Sequence, residues 1–387
     1  MYFVTTEWCD ILLDIILFLL FGSYFAYLAA EALSAARYRC IIPHVIYING
    51  TRGKTSVTRL IDAGLRQGGW RTYAKTTGTL PMVIDTVGRE KLIHRRGRAN
   101  IKEQLRIVRA AAQENAQILI IECMAIDPQL QYISQHRMVK ADIGVITNVR
   151  PDHLDVMGHT LDEIGQSLCN TIPKGGICFT ADEKFFPAFS ARCKNVGTEP
   201  RLILPDGTEP EIDFAENIAL AIAVCRQLGV ESQTALEGMR HYCRDPYALS
   251  FYRLRSGAVF IGGLSINDPV SIQIVYNQFV ERMNFGQRRL ILLITNRSDR
   301  GYRTLQHQEL AVVLKPAAIW IMGGSSCAMA RAFFKKMPDC PVTILKNAVE
   351  VPLRTLDSND MIFAVGNIGE GGKAIMERIE KEGVPYV

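Results

Sequence analysis

The 387-residue sequence lacks several patterns that would place it in a specialised class of protein. It has no internal repeat and no low-complexity tract, which excludes solenoids, collagen-like chains and extended disorder. Its ten cysteines form no CxxC pair and no Cys/His cluster with the spacing of zinc ligands. We therefore expect reduced thiols, packed as small apolar side chains in an intracellular protein.

Excess charge of one sign is also missing. The chain has 44 basic and 39 acidic residues, a net charge of +5. That excess is too small to indicate nucleic-acid binding, and we expect no nucleic-acid partner. It is compatible with an anionic substrate or an anionic membrane face. The length exceeds that of one compact core, so we expect two domains and an appendage.

One long apolar run is present, at residues 11–30, and Asp14 is its only charged residue. Twenty helical residues rise about 30 Å, the thickness of the hydrocarbon core of a bilayer. Arg37 and Arg39 follow the run, so the positive-inside rule places the rest of the chain in the cytoplasm. A buried core helix is the alternative, because Asp14 is costly in lipid. The sequence predicts a cell-membrane protein with a single-pass anchor in residues 1–40.

The remainder alternates short apolar runs with amphipathic stretches, which predicts an α/β fold with parallel sheets covered on both faces. A central domain at 41–250 is expected to precede a smaller Rossmann-like domain at 251–387. Residues 181–212 are predicted to be surface excursions, and a linker is expected near 244–256. The predicted strands are 44–48, 72–75, 118–121, 142–147, 258–262, 290–295, 318–322, 342–345 and 361–365.

A glycine-containing segment, INGTRGKTS, lies between the first predicted strand and the first predicted helix. Its glycines would let backbone N–H groups turn toward a phosphate at the helix N-terminus. Lys54 would reach the β- and γ-phosphates, and the Thr55 hydroxyl would ligate Mg²⁺. The general pattern GxxxxGK[ST] fails only at Ile48. The predicted nucleotide-binding residues here are Asn49, Gly50, Thr51, Arg52, Gly53, Lys54, Thr55 and Ser56.

Two further polar groups follow apolar strands. Glu122 ends the run ILII, and His153 lies in the segment NVRPDHLD after the next predicted strand. If these strands are neighbours, both side chains point toward the phosphate loop, at the edge where open α/β sheets bind ligands. Mg²⁺ prefers oxygen ligands, so a histidine is unusual by itself, and the pairing with Glu122 favours a functional role.

These motifs together resemble the Mur ligase superfamily, which includes folylpolyglutamate synthetases. The phosphate loop, Glu122 and the segment at 147–155 occur in the family's order, and Asn217 matches a nucleotide-contacting asparagine of the family. Leu168 stands where Mur enzymes often carry a carbamylated lysine, which argues against a second metal held that way. The resemblance implies Lys54, Glu122 and His153 as catalytic residues. It implies Thr55, Thr77, Glu122 and His153 as metal ligands, and Arg244 as the interdomain arginine, with Arg253 and Arg255 as alternatives.

The predicted membrane span, with SINDP at 265–269 and GNIG at 366–369, narrows the resemblance to the ligase subunits of poly-γ-glutamate synthases. This implies an ATP- and Mg²⁺-dependent ligase that polymerises glutamate through an acyl phosphate. A multipass membrane subunit and another anchored subunit are the implied partners. A folylpolyglutamate synthetase-like enzyme is one alternative. A membrane-tethered NTPase driving an export partner is another, although the sequence carries no ABC-type signature.

Overall fold

The computed structural model describes the backbone of residues 3–385 except 79, 96, 98, 155, 211, 246–248, 265–268, 283–286, 297–302 and 370. Asp155 and most of the SINDP motif lie outside the described residues. The chain divides into two compact units, Met1–Cys243 and Arg244–Val387.

The first unit begins with a long helix and continues as alternating strands and helices, with a π-helical turn at Ser134–Val139. Its elements are α1 (Phe3–Ile41), β1 (His44–Asn49), α2 (Lys54–Gln67), β2 (Thr72–Thr76), β3 (Met82–Ile84), β4 (Glu90–Leu92), α3 (Glu103–Gln113), β5 (Ile118–Glu122), α4 (Pro128–Ile133), β6 (Ile143–Ile146), α5 (Leu161–Leu168), β7 (Ile177–Thr180), α6 (Phe186–Asn195), β8 (Glu199–Leu202), α7 (Ala215–Gln227) and α8 (Ser232–Arg240).

The strands of this unit form one sheet in the order β4-β3-β2-β5-β1-β6-β7-β8. The pairs β2–β3 and β3–β4 are antiparallel and the other pairs are parallel. We call the edge where β1, β2, β5 and β6 end the carboxyl edge, and the opposite one the amino edge. β1 lies between β5 and β6, and the chain leaves it in one direction toward β2 and later in the other toward β6. This reversal opens a crevice at the carboxyl edge, the usual ligand site of such sheets.

Both faces of the sheet are covered by helices. The side chains of β1 show this, since they alternate between two buried clusters, one on each face. Ile46 and Ile48 pack with α2, α7 and α8. Val45 and Tyr47 pack with α3 on the other face. This burial on both faces explains the continuous apolar strands of the sequence.

The second unit is a smaller α/β layer structure with its own core. Its sheet order is β13-β12-β11-β14-β10-β9-β15, and β9 is antiparallel to both β10 and β15. Its elements are β9 (Ser250–Leu254), β10 (Val259–Gly263), α9 (Pro269–Arg282), β11 (Arg289–Asn296), α10 (Arg303–Leu314), β12 (Ala318–Gly323), α11 (Ser326–Lys336), β13 (Val342–Leu345), β14 (Asp360–Gly366), α12 (Gly372–Glu382) and β15 (Gly383–Pro385).

The structure corrects two sequence predictions. Residues 181–212 are not merely surface excursions, because α6 packs through Phe189 and Cys193, and β8 extends the first sheet. The linker expected near 244–256 is wrong for residues 250–254, since β9 is a strand of the second sheet. Both segments are short or only partly apolar, so pairing with distant strands decides their structure.

Helix α1 includes one apolar stretch, Leu12–Ile41, that is long enough to cross a membrane. Side chains from Leu12 to Tyr27 are exposed, whereas Tyr38 and Arg39 are partly buried against the first unit. The helix is therefore exposed over its first described part and packed over its last turns.

Candidate active site

The phosphate loop leaves the end of β1 and turns into α2 with two glycines in left-handed backbone conformations. Gly50 has φ of 126° and Gly53 has φ of 78°. A Cβ on Gly50 would lie 2.0 Å from the Thr147 hydroxyl oxygen, and one on Gly53 would lie 2.6 Å from Oδ1 of Asn217. Both positions therefore require glycine, for backbone conformation and for space.

The loop is joined to the segment that follows β6. Oδ1 of Asn148 accepts hydrogen bonds from the Thr51 hydroxyl at 2.8 Å and from the Arg52 N–H at 3.0 Å. The Arg150 N–H donates to the Thr51 hydroxyl oxygen at 2.8 Å. At the start of the loop, Nδ2 of the buried Asn49 donates to Oε1 of Gln131 at 3.0 Å. These bonds hold the loop in one shape before any ligand binds.

Lys54 is the first residue of α2, and its ammonium folds back over the loop. Nζ donates to the Gly50 carbonyl at 2.6 Å and to the Thr51 carbonyl at 3.3 Å. Ser56 is half-buried in the same first turn. The positive charge thus lies beside the N-terminal N–H groups of α2, where an anion is stabilised.

Glu122 ends β5 beside this loop, and its side chain is almost completely buried, with 2% of the residue exposed. Its Oε2 accepts a hydrogen bond from the Thr55 hydroxyl at 2.9 Å. The same oxygen accepts one from the Thr77 N–H at 2.7 Å, so Thr77 contacts Glu122 through its backbone. A buried carboxylate next to a hydroxyl and a phosphate loop offers the oxygen ligands that Mg²⁺ prefers.

A buried ion network lies behind Glu122, and sequence reasoning missed it. Nζ of Lys75 is 3.1 Å from Oε1 of Glu103, and Arg95 makes a two-pronged contact with the same carboxylate at 2.7 and 2.9 Å. Burial lowers the pKa of Lys75, and the Glu103 charge opposes this change. Burial alone would raise the pKa of Glu103, but Arg95 and Lys75 outweigh it and lower that pKa. The available signal was a lysine inside the buried strand TYAKT.

The structure corrects the expected geometry of His153. The strands that precede Glu122 and His153 are not neighbours, because β1 lies between them. His153 has φ of 47°, and its Nε2 is 3.8 Å from Oδ1 of Asp152, whose Oδ2 is 3.5 Å from Nη2 of Arg52. Within the described part of the chain, no three His, Cys, Asp or Glu side chains are grouped as a metal site.

The remaining predicted residues lie at different distances from the loop. Asn217 is on α7, and its side chain borders Gly53 while donating to Asp213 at 2.7 Å. Leu168 is fully buried among apolar side chains of α5 and α6, and therefore offers no metal ligand. Arg244 opens the second unit, and its role as the interdomain arginine stays a prediction.

Residues 48–199 match the model of the Mur ligase middle domain, and residues 250–382 match that of the poly-gamma-glutamate synthase CapB C-terminal domain. The capsule biosynthesis protein CapB of Bacillus anthracis is 33% identical, with 88% of this chain and 77% of the relative covered. The PGA synthase CapB of Bacillus subtilis is 30% identical, with 88% and 91% covered.

This chain belongs to the CapB family. The resemblance to Mur ligases is also confirmed, since this chain matches the Mur ligase middle domain as well as the CapB C-terminal domain. The fold also matches a bifunctional folylpolyglutamate synthase/dihydrofolate synthase from Yersinia pestis, with a TM-score of 0.66 at 13% identity. That match covers 93% of this chain and 97% of the other. The α/β fold with a P-loop domain and a smaller second domain is thus confirmed.

Proposed function

We propose that this chain is an ATP-dependent amide ligase that polymerises glutamate into poly-γ-glutamate at the membrane. The observation that carries the proposal is the buried Glu122 carboxylate, hydrogen-bonded to Thr55 and Thr77 beside the phosphate loop. Membership of the CapB family supports the reaction class, because the Bacillus subtilis relative is named a PGA synthase. The Bacillus anthracis relative is named a capsule biosynthesis protein.

The residues present fit a nucleotide with a divalent metal, which we take to be Mg²⁺. The related Yersinia pestis structure is a complex with AMPPNP and Mn. Here the oxygens of Thr55 and Glu122 would hold the metal, with Thr77 and His153 as further candidate ligands. Mg²⁺ commonly takes one or two protein carboxylates and completes its shell with phosphate and water oxygens. When bound, it offsets the negative charge of the phosphates.

The loop and its neighbours would bind and orient the nucleotide. Backbone N–H groups of residues 50–56 and the Lys54 ammonium would stabilise the phosphates, and charge developing on the transferred group most of all. Asn217 would contact the nucleotide, because its side chain borders Gly53 of the loop. Arg244 is our candidate for the arginine that reaches the γ-phosphate from the second unit.

In the proposed reaction, a glutamate carboxylate oxygen attacks the γ-phosphorus of ATP, which gives an acyl phosphate and ADP. The amine of a second glutamate then attacks the acyl carbon. The C–O bond to phosphate breaks, the amine loses a proton, and an amide and inorganic phosphate result. Exclusion of water from the site would protect the acyl phosphate from hydrolysis.

The proposal includes a single-pass anchor, with both catalytic units in the cytoplasm. The exposed apolar stretch of α1 supports the anchor, because sixteen consecutive exposed residues from Leu12 to Tyr27 have few favourable surroundings other than lipid. The synthase complex would contain a multipass membrane subunit and another anchored subunit. Growing poly-γ-glutamate would be the product that they receive.

The test is phosphate release from ATP and Mg²⁺ by membranes that contain the full chain with its co-expressed partners, with and without glutamate. We expect release to require glutamate and to produce an anionic polymer that resists α-peptidases. Lys54→Ala is the blank, because it removes the ammonium that lies over the phosphate loop, and the partly buried Lys54 is not part of the apolar core.

Two outcomes would contradict the proposal. Phosphate release indifferent to glutamate, without polymer, would favour a tethered NTPase that drives an export partner. Release that requires a folate substrate, with glutamate added to it, would instead favour a folylpolyglutamate synthetase-like enzyme.

A further inference from the structure

The last turns of α1 pack along α3, and the two helices run in the same direction. Oε2 of Glu31 is 3.6 Å from Nζ of Lys102. Seven residues further along each helix, the guanidinium of Arg109 lies 5.5 Å from the ring centre of Tyr38. Two contacts spaced by the same number of residues on both helices define a parallel register.

The end of this packed segment lies at the amino edge of the first sheet. Arg39 makes an ion pair with Asp142, and its Nε donates to the Lys140 carbonyl at 3.0 Å. Asp142 immediately precedes β6, and it also accepts a hydrogen bond from the Val45 N–H at 2.9 Å, near the start of β1. The chain therefore leaves α1 at the amino edge and enters β1 there.

The beginning of the packed segment lies at the carboxyl edge. Nε2 of Gln104, in the first turn of α3, donates to the Glu122 carbonyl at 3.3 Å. The preceding residue, Glu103, contacts Lys75 near the end of β2. Glu31, which pairs with Lys102, is consequently level with the candidate active site. From Glu31 to Arg39 the helix descends about 12 Å, most of the length of the strands.

The apolar part of α1 must then continue past the carboxyl edge, because α1 is one helix from Phe3 to Ile41. Residues 12–30 rise about 27 Å, which matches the hydrocarbon core of a bilayer. The first part of α1 therefore projects beyond the carboxyl edge of the sheet, which carries the phosphate loop, and not beyond the amino edge. The ion pair of Glu31 with Lys102 lies where such a span would end.

We propose that the carboxyl edge of the first sheet, with the phosphate loop and Glu122, faces the lipid bilayer. The partner of this edge is the layer of lipid headgroups on the side of the membrane where the units lie. The inference rests on the membrane anchor of the proposed function and not on its reaction. An anionic product formed at this edge is released into the water layer next to the membrane, where an embedded partner can receive it.

The test compares two exposed positions at opposite edges in the full chain, reconstituted in nanodiscs. His94 follows β4 at the carboxyl edge. The strand pairing shows this, because Leu92 of β4 pairs with Met82 of β3, and Met82 pairs with Thr76 at the end of β2. Gln113 ends α3 at the amino edge. Each is replaced by cysteine, as His94→Cys or Gln113→Cys. Both variants are made in a background in which serine replaces the exposed Cys40, Cys243 and Cys327, and also Cys9. A fluorophore on that cysteine is quenched by lipids with a nitroxide on the headgroup.

We expect several-fold stronger quenching at residue 94 than at residue 113. Equal quenching, or stronger quenching at residue 113, would overturn the orientation. A third label, at Leu20→Cys, reports on insertion through lipids with a nitroxide on the acyl chain. If that label is not quenched, the anchor does not insert and the orientation is wrong.

Glutamate-dependent phosphate release by the same variants is measured in membranes that contain the co-expressed partners, so that the two proposals fail separately. Release without the expected quenching pattern leaves the reaction standing and removes the orientation. The expected quenching without glutamate dependence supports the orientation and removes the reaction.

Discussion

The hydroxyl of Thr55 connects the first turn of α2 to the buried Glu122 carboxylate. Thr55→Val keeps the shape of the side chain and removes this hydrogen bond. We expect it to lower Mg²⁺-dependent phosphate release about 10- to 100-fold, the usual effect of removing an oxygen next to a metal site. Thr55→Ser keeps the hydroxyl and should retain most of the activity. Equal losses in both variants would show that the hydroxyl has no such role.

His136 lies in the π-helical turn, and folding makes its ring harder to protonate. Burial, with the nearby charges of Lys174 and Arg192, lowers the pKa of His136 to about 4. The unfolded chain binds this proton near pH 6.5. The contribution of the neutral His136 ring to the free energy of unfolding is therefore fully present above about pH 6.5. It is lost progressively as the pH falls toward 4.

Acidification from pH 7 to 5 should consequently cost the native chain about 1 kcal/mol through His136, after allowance for partial exposure. His136→Phe keeps a ring next to Tyr132, whose centre is 4.5 Å away, and should lose less stability over this range. Urea midpoints at the two pH values measure the difference. His241→Gln is the control, because that side chain is 78% exposed. An unchanged pH dependence in His136→Phe would contradict the assignment.

Among the elements, the short hairpin of β3 and β4 is joined to α2 by an ion pair. Arg59 is 2% exposed, and its Nη1 and Nη2 donate to the two carboxylate oxygens of Glu90 at 2.6 and 3.0 Å. Glu90→Gln removes the carboxylate charge that faces this buried guanidinium and weakens both hydrogen bonds. We expect the free energy of unfolding of the first unit to fall by about 3 kcal/mol.

Pulse proteolysis of the solubilised chain at increasing urea measures this loss. Lys91→Gln, on the same strand, is the matched control, since the Lys91 side chain is 56% exposed and Arg89 also contacts Asp85. We expect a change of less than about 1 kcal/mol for that variant. Similar losses of unfolding free energy in the two variants would show that the Arg59–Glu90 pair stabilises the first unit no more than an exposed pair does.

Over the whole molecule, two sheets with separate cores should give two cooperative unfolding steps. A non-hydrolysable ATP analogue with Mg²⁺ should raise the midpoint of the first unit, which carries the phosphate loop, because a ligand stabilises the state that binds it. Calorimetry, with proteolytic fragments to assign each step, measures the shift. Lys54→Ala should abolish it. A shift of the second unit alone would contradict the placement of the nucleotide.

Short segments of the sequence, read by themselves, predicted the features that depend on local chemistry. The apolar run at 11–30 follows from the thickness of a bilayer, and the loop at 48–56 from the backbone freedom of its glycines. Glu122 was found because it ends a buried strand, at the edge where open α/β sheets bind ligands. None of these inferences requires knowing which strands are neighbours.

Tertiary structure alone decided the features that join distant parts of the chain. β1 separates the strands that lead to Glu122 and His153, and β8 completes the sheet through pairing with β7. Lys75 is neutralised by Glu103, 28 positions away, which no local pattern indicates. The two contacts of α1 with α3 likewise show the direction in which α1 leaves the fold. Local sequence specifies which groups are present, whereas long-range packing specifies which of them meet.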